Sequence, residues 1–193
     1  MASFAAISAA AKSLERLLNR AFAEEQPVSD TIKTRAVLVR TNDFDKSVVA
    51  QAIGSPALSV FLYRVEFNPT VRAAWSAAGS HRGLAHAPLD LHFLLTPWAD
   101  NAEHELRVLG RAVQCLEETP SLSGPLLHPD GAWAPNESVQ VVPEELSVEA
   151  VMRTFDSLPT DYRLSVAYVA RVVRVDSRVP EPLRPVTAVE LTS

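Results

Sequence analysis

The sequence predicts an α/β (α+β) fold, a single sheet of about five strands with two to three helices packed on it. Three features carry that expectation. Residues 57–67 (ALSVFLYRVEF) and 163–176 (RLSVAYVARVVRVD) are long runs rich in β-branched and aromatic side chains. Residues 89–95 alternate, with Leu89, Leu91, Phe93 and Leu95 on one side and Asp90 and His92 on the other. Between these strands the apolar residues recur at helical spacing. No repeat or composition break divides the 193 residues, so one domain over 1–193 is expected.

The first element is a helix over residues 3–25. Phe4, Ile7, Leu14, Leu17, Leu18 and Phe22 share one face, while Lys12, Glu15, Arg16 and Arg20 lie mostly opposite. Ser3 can cap its start and Gln26-Pro27 closes it. Its apolar face either covers the protein's own sheet or docks on a neighbouring subunit. Residues 34–41 (TRAVLVRT) read as a short strand. The run 57–67 is apolar almost throughout and bounded by Ser55-Pro56 and Asn68-Pro69, as suits a central strand covered on both faces. After the alternating strand comes a helix over roughly 102–118. Asp100 and Glu103 form a capping-box-like start, and Leu106, Leu109, Val113 and Leu116 its apolar stripe. Residues 121–136, with Gly124, Pro125, Pro129, Gly131 and Pro135, read as loop. A strand at 138–142 follows. A helix capped by Ser147 then places Val148, Val151, Met152 and Phe155 on one face and stops before Pro159. Beyond residue 176, Pro180, Pro182 and Pro185 leave an extended tail over 178–193.

Composition excludes several classes of function. The chain is 47% hydrophobic and 21% charged, as expected of a globular protein. Its net charge of −5 without a dense basic stripe argues against nucleic acid as partner. No apolar run approaches a membrane span, and the first residues carry their charges inside the apolar segment, unlike a secretion signal. A soluble protein of the cytoplasm is expected. A lone cysteine, Cys115, permits neither an internal disulfide nor a cysteine-based zinc site.

Catalytic signatures are missing too. There is no G-x-S-x-G elbow, no phosphate-binding G-x-x-x-x-G-K-[ST] and no G-x-G-x-x-G. His81, His86, His92 and His104 are near one another in sequence, but none has the spacing that puts two ligands on one helix face. Asp90 and His92 share a strand face and can neighbour each other, either as an oriented base or as a structural pair; no nucleophile is identifiable. No catalytic, cofactor-binding or metal-binding residue is therefore assigned, and no cofactor is expected. Cys115 lies beside an apolar stripe and reads as a small buried hydrophobe. Trp75, Trp98 and Trp133 fall in or beside loops, where tryptophan serves an interface or plugs its own core. Arg64, Arg72, Arg82, Arg107 and Arg111 either meet acidic partners or lie on solvated faces.

Five ordered segments carry a resemblance. They are residues 58–64 leading to Arg72, 88–92 (PLDLH), 109–112 (LGRA), 162–168 (YRLSVAY) and Asp176-Ser177. The chain resembles the N-terminal domain of tail terminator, or cap, proteins of phage-tail-like extracellular contractile injection systems, over residues 58–177. The resemblance implies a non-enzymatic structural subunit. It would form a homohexameric ring closing the baseplate-distal end of an inner tube and sheath, in a particle assembled in the bacterial cytoplasm. Many family members carry a further C-terminal domain, whereas this chain stops at Ser193; such a short form either caps the tube alone or needs a longer paralogue to reach the sheath. An adaptor or assembly chaperone for another injection-system subunit is the alternative. The candidate subunit-interface residues are Phe4, Ile7, Arg64, Arg72, Trp75, Trp98 and Arg111, with Val186, Val189 and Leu191 in a tail that can add as an edge strand to a neighbour.

Overall fold

The computed structural model describes residues 3–28, 31–75 and 86–177. The first helix, α1 (Ala6–Glu24), buries Leu14, Leu17, Leu18 and Phe22 along one stripe. Strand β1 (Arg35–Val39) follows. A 3-10 turn at Thr41–Phe44 and the single-turn α2 (Val49–Ala52) lead to β2 (Ala57–Phe67). Then come α3 (Pro69–Trp75), β3 (His86–Trp98), α4 (Ala102–Glu118), β4 (Ser121–Ser123), β5 (Ser138–Glu144), α5 (Val148–Asp156) and β6 (Val166–Asp176).

The sheet has the order β1-β2-β3-β6-β5-β4. β1 runs parallel to β2, and every other neighbouring pair is antiparallel. The parallel pair needs a crossover, which the 3-10 turn and α2 supply. The two-residue period of each strand then sorts side chains to two faces. On one face α1 and α4 cover Leu58, Val60, Leu91, Phe93, Leu95 and Tyr168. On the other, Phe44, Ile53 and Phe155 cover Ala57, Phe61, Leu94, Trp98 and Ala167.

The sheet thus has six strands rather than about five. The extra one, β4, lies in the stretch read as loop; three residues between prolines and glycines are too short to show a period. The short α2 and α3 escape the same way. β2 is buried on both faces only over its first half and is exposed from Arg64 onward, so it is central for half its length. In α4 the buried stripe is Val108, Leu109, Ala112, Cys115 and Leu116, while Leu106 is 57% exposed. Its N-cap is Asn101, whose side chain accepts from the His104 amide at 2.9 Å; Asp100 instead lies 2.6 Å from the His104 ring.

The β1 edge of the sheet is closed to strand addition by α1. Along β1 the outward backbone groups are taken by α1. The Asn19 amide accepts from the Ala36 N–H at 3.0 Å and donates to the Ala36 carbonyl at 2.9 Å, while Glu15 accepts from the Leu38 N–H at 2.9 Å. At the other end β4 pairs only with Ser138–Gln140 of β5, and the Val141 N–H donates to the Pro120 carbonyl. Pro143, further along, has no N–H to offer.

Candidate subunit interface

The part of the sheet that α2 and α5 leave uncovered is polar. A register shift in β2 between Leu62 and Arg64 leaves Tyr63 outside the one-to-one pairing, so Tyr63 and Arg64 both reach Glu144 of β5. The Tyr63 hydroxyl donates to Glu144 Oε2 at 2.8 Å, and Arg64 Nη2 donates to Oε1 at 2.6 Å. Burial, reinforced by this carboxylate, pushes the Tyr63 phenol far above its usual range. His92 sits in the middle, with Nδ1 2.9 Å from Glu144 Oε2 and 3.0 Å from Arg64 Nη2, and Nε2 3.6 Å from Glu66. The cluster ties β2, β3 and β5 together on this face.

Asp90 does not partner His92. Both lie on the expected face, but Asp90 receives the Asn68 side-chain amide at 3.0 and 3.2 Å. His86 lies 2.7 Å from Asp176, whose side chain is 2% exposed and also meets Arg174 Nε at 2.8 Å. Each of these acids and histidines is held by one or more neighbouring polar side chains. Among the described residues no group of three or more His, Cys, Asp or Glu is placed to hold a metal ion. His81 lies outside the described residues. Cys115 is buried, and burial raises its thiol pKa, the reverse of what a nucleophile needs. No helix among the described residues is long and apolar enough to cross a membrane.

The candidate interface residues divide between surface and interior. Phe4 is 73% exposed, and Ile7 packs against the core from its rim. Arg72 is exposed and lies 4.1 Å above the ring of Phe67, itself an exposed residue. Arg64 is half-exposed and holds Glu144 and Glu66. Trp98, by contrast, is buried in the chain's own core: its Nε1 donates to Ser59 Oγ at 2.9 Å, and the Arg163 guanidinium stacks 4.2 Å from its ring. Arg111 is also internal. Its Nη2 donates to the Ala21 carbonyl at 3.3 Å, at the C-terminal end of α1 where no basic residue of that helix stands. Trp75 closes α3, and the tail with Val186, Val189 and Leu191 lies outside the described residues.

Two groups of exposed apolar residues are missing from the candidate set. Val65 and Phe67 extend the helix-covered face beyond α1 and α4. On α5, Val148 and Met152 stay exposed while Phe155 on the same stripe is buried. The α5 periodicity announces an apolar stripe, but not that the sheet covers only one end of it.

An open-sided groove of about 610 Å³ lies where β5 runs past the end of β4. Val113, Pro143, Leu146 and Val166 line it, as do Glu117 and Glu145. The Tyr168 hydroxyl also lines it, 3.5 Å from Glu117, and burial beside that carboxylate pushes the phenol up to about 12.

No curated protein matches the sequence. Two solved structures share the fold. The PVC sheath/tube terminator of an extracellular contractile injection system, in its extended state, superposes with a TM-score of 0.53 at 21% identity, over 94% of this chain and 62% of that one. The tube terminating cap of the anti-feeding prophage gives 0.52 at 19% identity, over 92% of this chain and 59% of that one. The chain thus spans about three-fifths of the length of either. The Pvc16 N-terminal domain model matches residues 9–188, nearly the whole chain, and the protein belongs to that family.

Proposed function

We propose that the chain is a structural tail terminator, a single unit over residues 1–193 that closes the baseplate-distal end of the tube and sheath of a contractile injection system as a homohexameric ring. The observation that carries this reading is the family match over residues 9–188, joined to a fold shared with two tube terminators. Its partners are copies of itself and the tube and sheath subunits, met in the bacterial cytoplasm as the particle is built. The role is non-enzymatic: the polar groups that could suggest chemistry are engaged in pairs such as Asp90 with Asn68 and His86 with Asp176.

A closing ring needs two different complementary patches on each subunit. Phe4, the Val65–Phe67 pair with Arg72, and the Val148–Met152 stripe are exposed candidates, and residues 178–193 add a further one. The test is co-expression with tube and sheath subunits. Light scattering of the purified chain is expected to give six-fold the chain mass, and particles made without it are expected to carry tubes of uncontrolled length in electron micrographs. A chain that stays monomeric with its tube partners overturns the reading. A stable one-to-one complex without a ring replaces it with the adaptor role.

A further inference from the structure

The groove beside β5 has a chemistry that selects its occupant. Its walls are mostly apolar, with Glu144 and Ser165 among them, and Glu117 and Glu145, both exposed, also line it. It is also the place where the sheet edge is open but cannot extend its hydrogen-bond ladder, because Pro143 lacks a donor. An added β-strand is therefore disfavoured. A polyproline segment fits better, since it needs no ladder bonds and docks through its side chains.

The sequence holds one such segment near its described end. Residues 180–188 read PEPLRPVTA. At three residues per turn, Pro180, Leu183 and Val186 form one apolar face and Pro182, Pro185 and Ala188 a second; the third carries Glu181 and Arg184. Apolar faces beside an arginine match a mostly apolar groove that also bears carboxylates.

Reach decides which copy supplies the segment. The groove lies at the start of β6, against Val166, whereas residue 178 is joined to Ser177 at the other end of that 11-residue strand. Those ends are about 35 Å apart at the rise of an extended strand. Leu183 comes six residues after Ser177, a polyproline reach of only about 19 Å. At that reach Leu183 and Arg184 of the same chain fall short of the groove, which favours a second copy as their source.

We propose that the groove holds the proline-rich segment 180–188 of a second copy of the chain, with Arg184 between Glu117 and Glu145. The proposal rests on the ring reading above. It replaces edge-strand addition, which the α1-capped edge of β1 and the missing donor of Pro143 on β5 do not support.

Engineered cysteines test it in the full chain, because the one native thiol, Cys115, is buried. One preparation carries Glu145→Cys, another Arg184→Cys, and a control Arg20→Cys on the exposed side of α1. Assembled together under mild oxidation, the first two are expected to give a disulfide-linked dimer on a non-reducing gel, at least ten-fold above either alone or the Arg20→Cys pairing. Glu117→Lys in the first chain is expected to cut that yield several-fold. Light scattering on the same samples separates the two readings. Rings without the cross-link overturn the tail-in-groove contact and leave the terminator reading standing; a monomer without the cross-link overturns both.

Discussion

Gly131 is a residue whose smallness has a measurable reason. A Cβ there would lie 2.3 Å from Cε2 of Trp133, whose ring packs against the core while its Nε1 donates to the His128 carbonyl at 2.7 Å. Gly131→Ala must displace a seated indole, and about 1–3 kcal/mol of stability should be lost in urea unfolding. In a Gly131→Ala/Trp133→Ala double variant the alanine no longer meets the ring, so the two losses should fall short of additive. The neighbouring Asp130 is a second case. Its carboxylate accepts from Lys12 on α1 at 3.0 Å, and that bond holds its pKa below the ordinary carboxylate value. A depressed folded pKa stabilises the fold above the unfolded value of about 3.9 and stops doing so as pH falls through the folded one. Asp130→Asn should therefore unfold more readily than the parent at neutral pH, with the difference closing as pH falls below the ordinary carboxylate range. A difference that persists in acid would mean the effect is not the ion pair. Trp98 and Arg111 mark the limit of single-residue reading. Loop placement and charge suggested an interface, but whether Ser59, or the end of α1, lies within reach is decided by residues dozens of positions away.

At the scale of elements, legibility tracks length and period. α1, α4, α5, β2, β3 and β6 each run for nine residues or more, enough for a helical or alternating pattern to repeat. β4 and α2, at three and four residues, cannot repeat anything. Patterns also miss which part of an element its neighbours cover, hence the exposed half of β2 and the exposed start of the α5 stripe. The closure of β1 was likewise invisible. Glu15 reads as the polar side of an amphipathic helix, yet it and Asn19 serve as backbone partners for a strand 23 and 17 residues away. Asn19→Ala would leave the Ala36 N–H and C=O without these partners, at a cost of about 1–3 kcal/mol if water cannot replace them. Hydrogen exchange at the Ala36 amide should then rise well above that at Val60 in the interior. Unchanged protection at Ala36 would show that its edge is closed by something other than Asn19.

For the whole molecule, the question is which parts serve the fold and which serve assembly. β6 is anchored through its last residues: Asp176 pairs with His86 in the sheet register, and its carboxylate meets both His86 and Arg174. Among the described residues, Val175 is the last that either core cluster takes in. Removing residues 178–193 should therefore leave the unfolding free energy within about 0.5 kcal/mol of the parent, as expected of changes outside packed features. The same truncation should abolish or sharply weaken the ring in light scattering. The two readouts answer separate questions. A lost ring with unchanged unfolding assigns the tail to contacts between copies, whereas unfolding at markedly lower urea would make the tail part of its own chain's core.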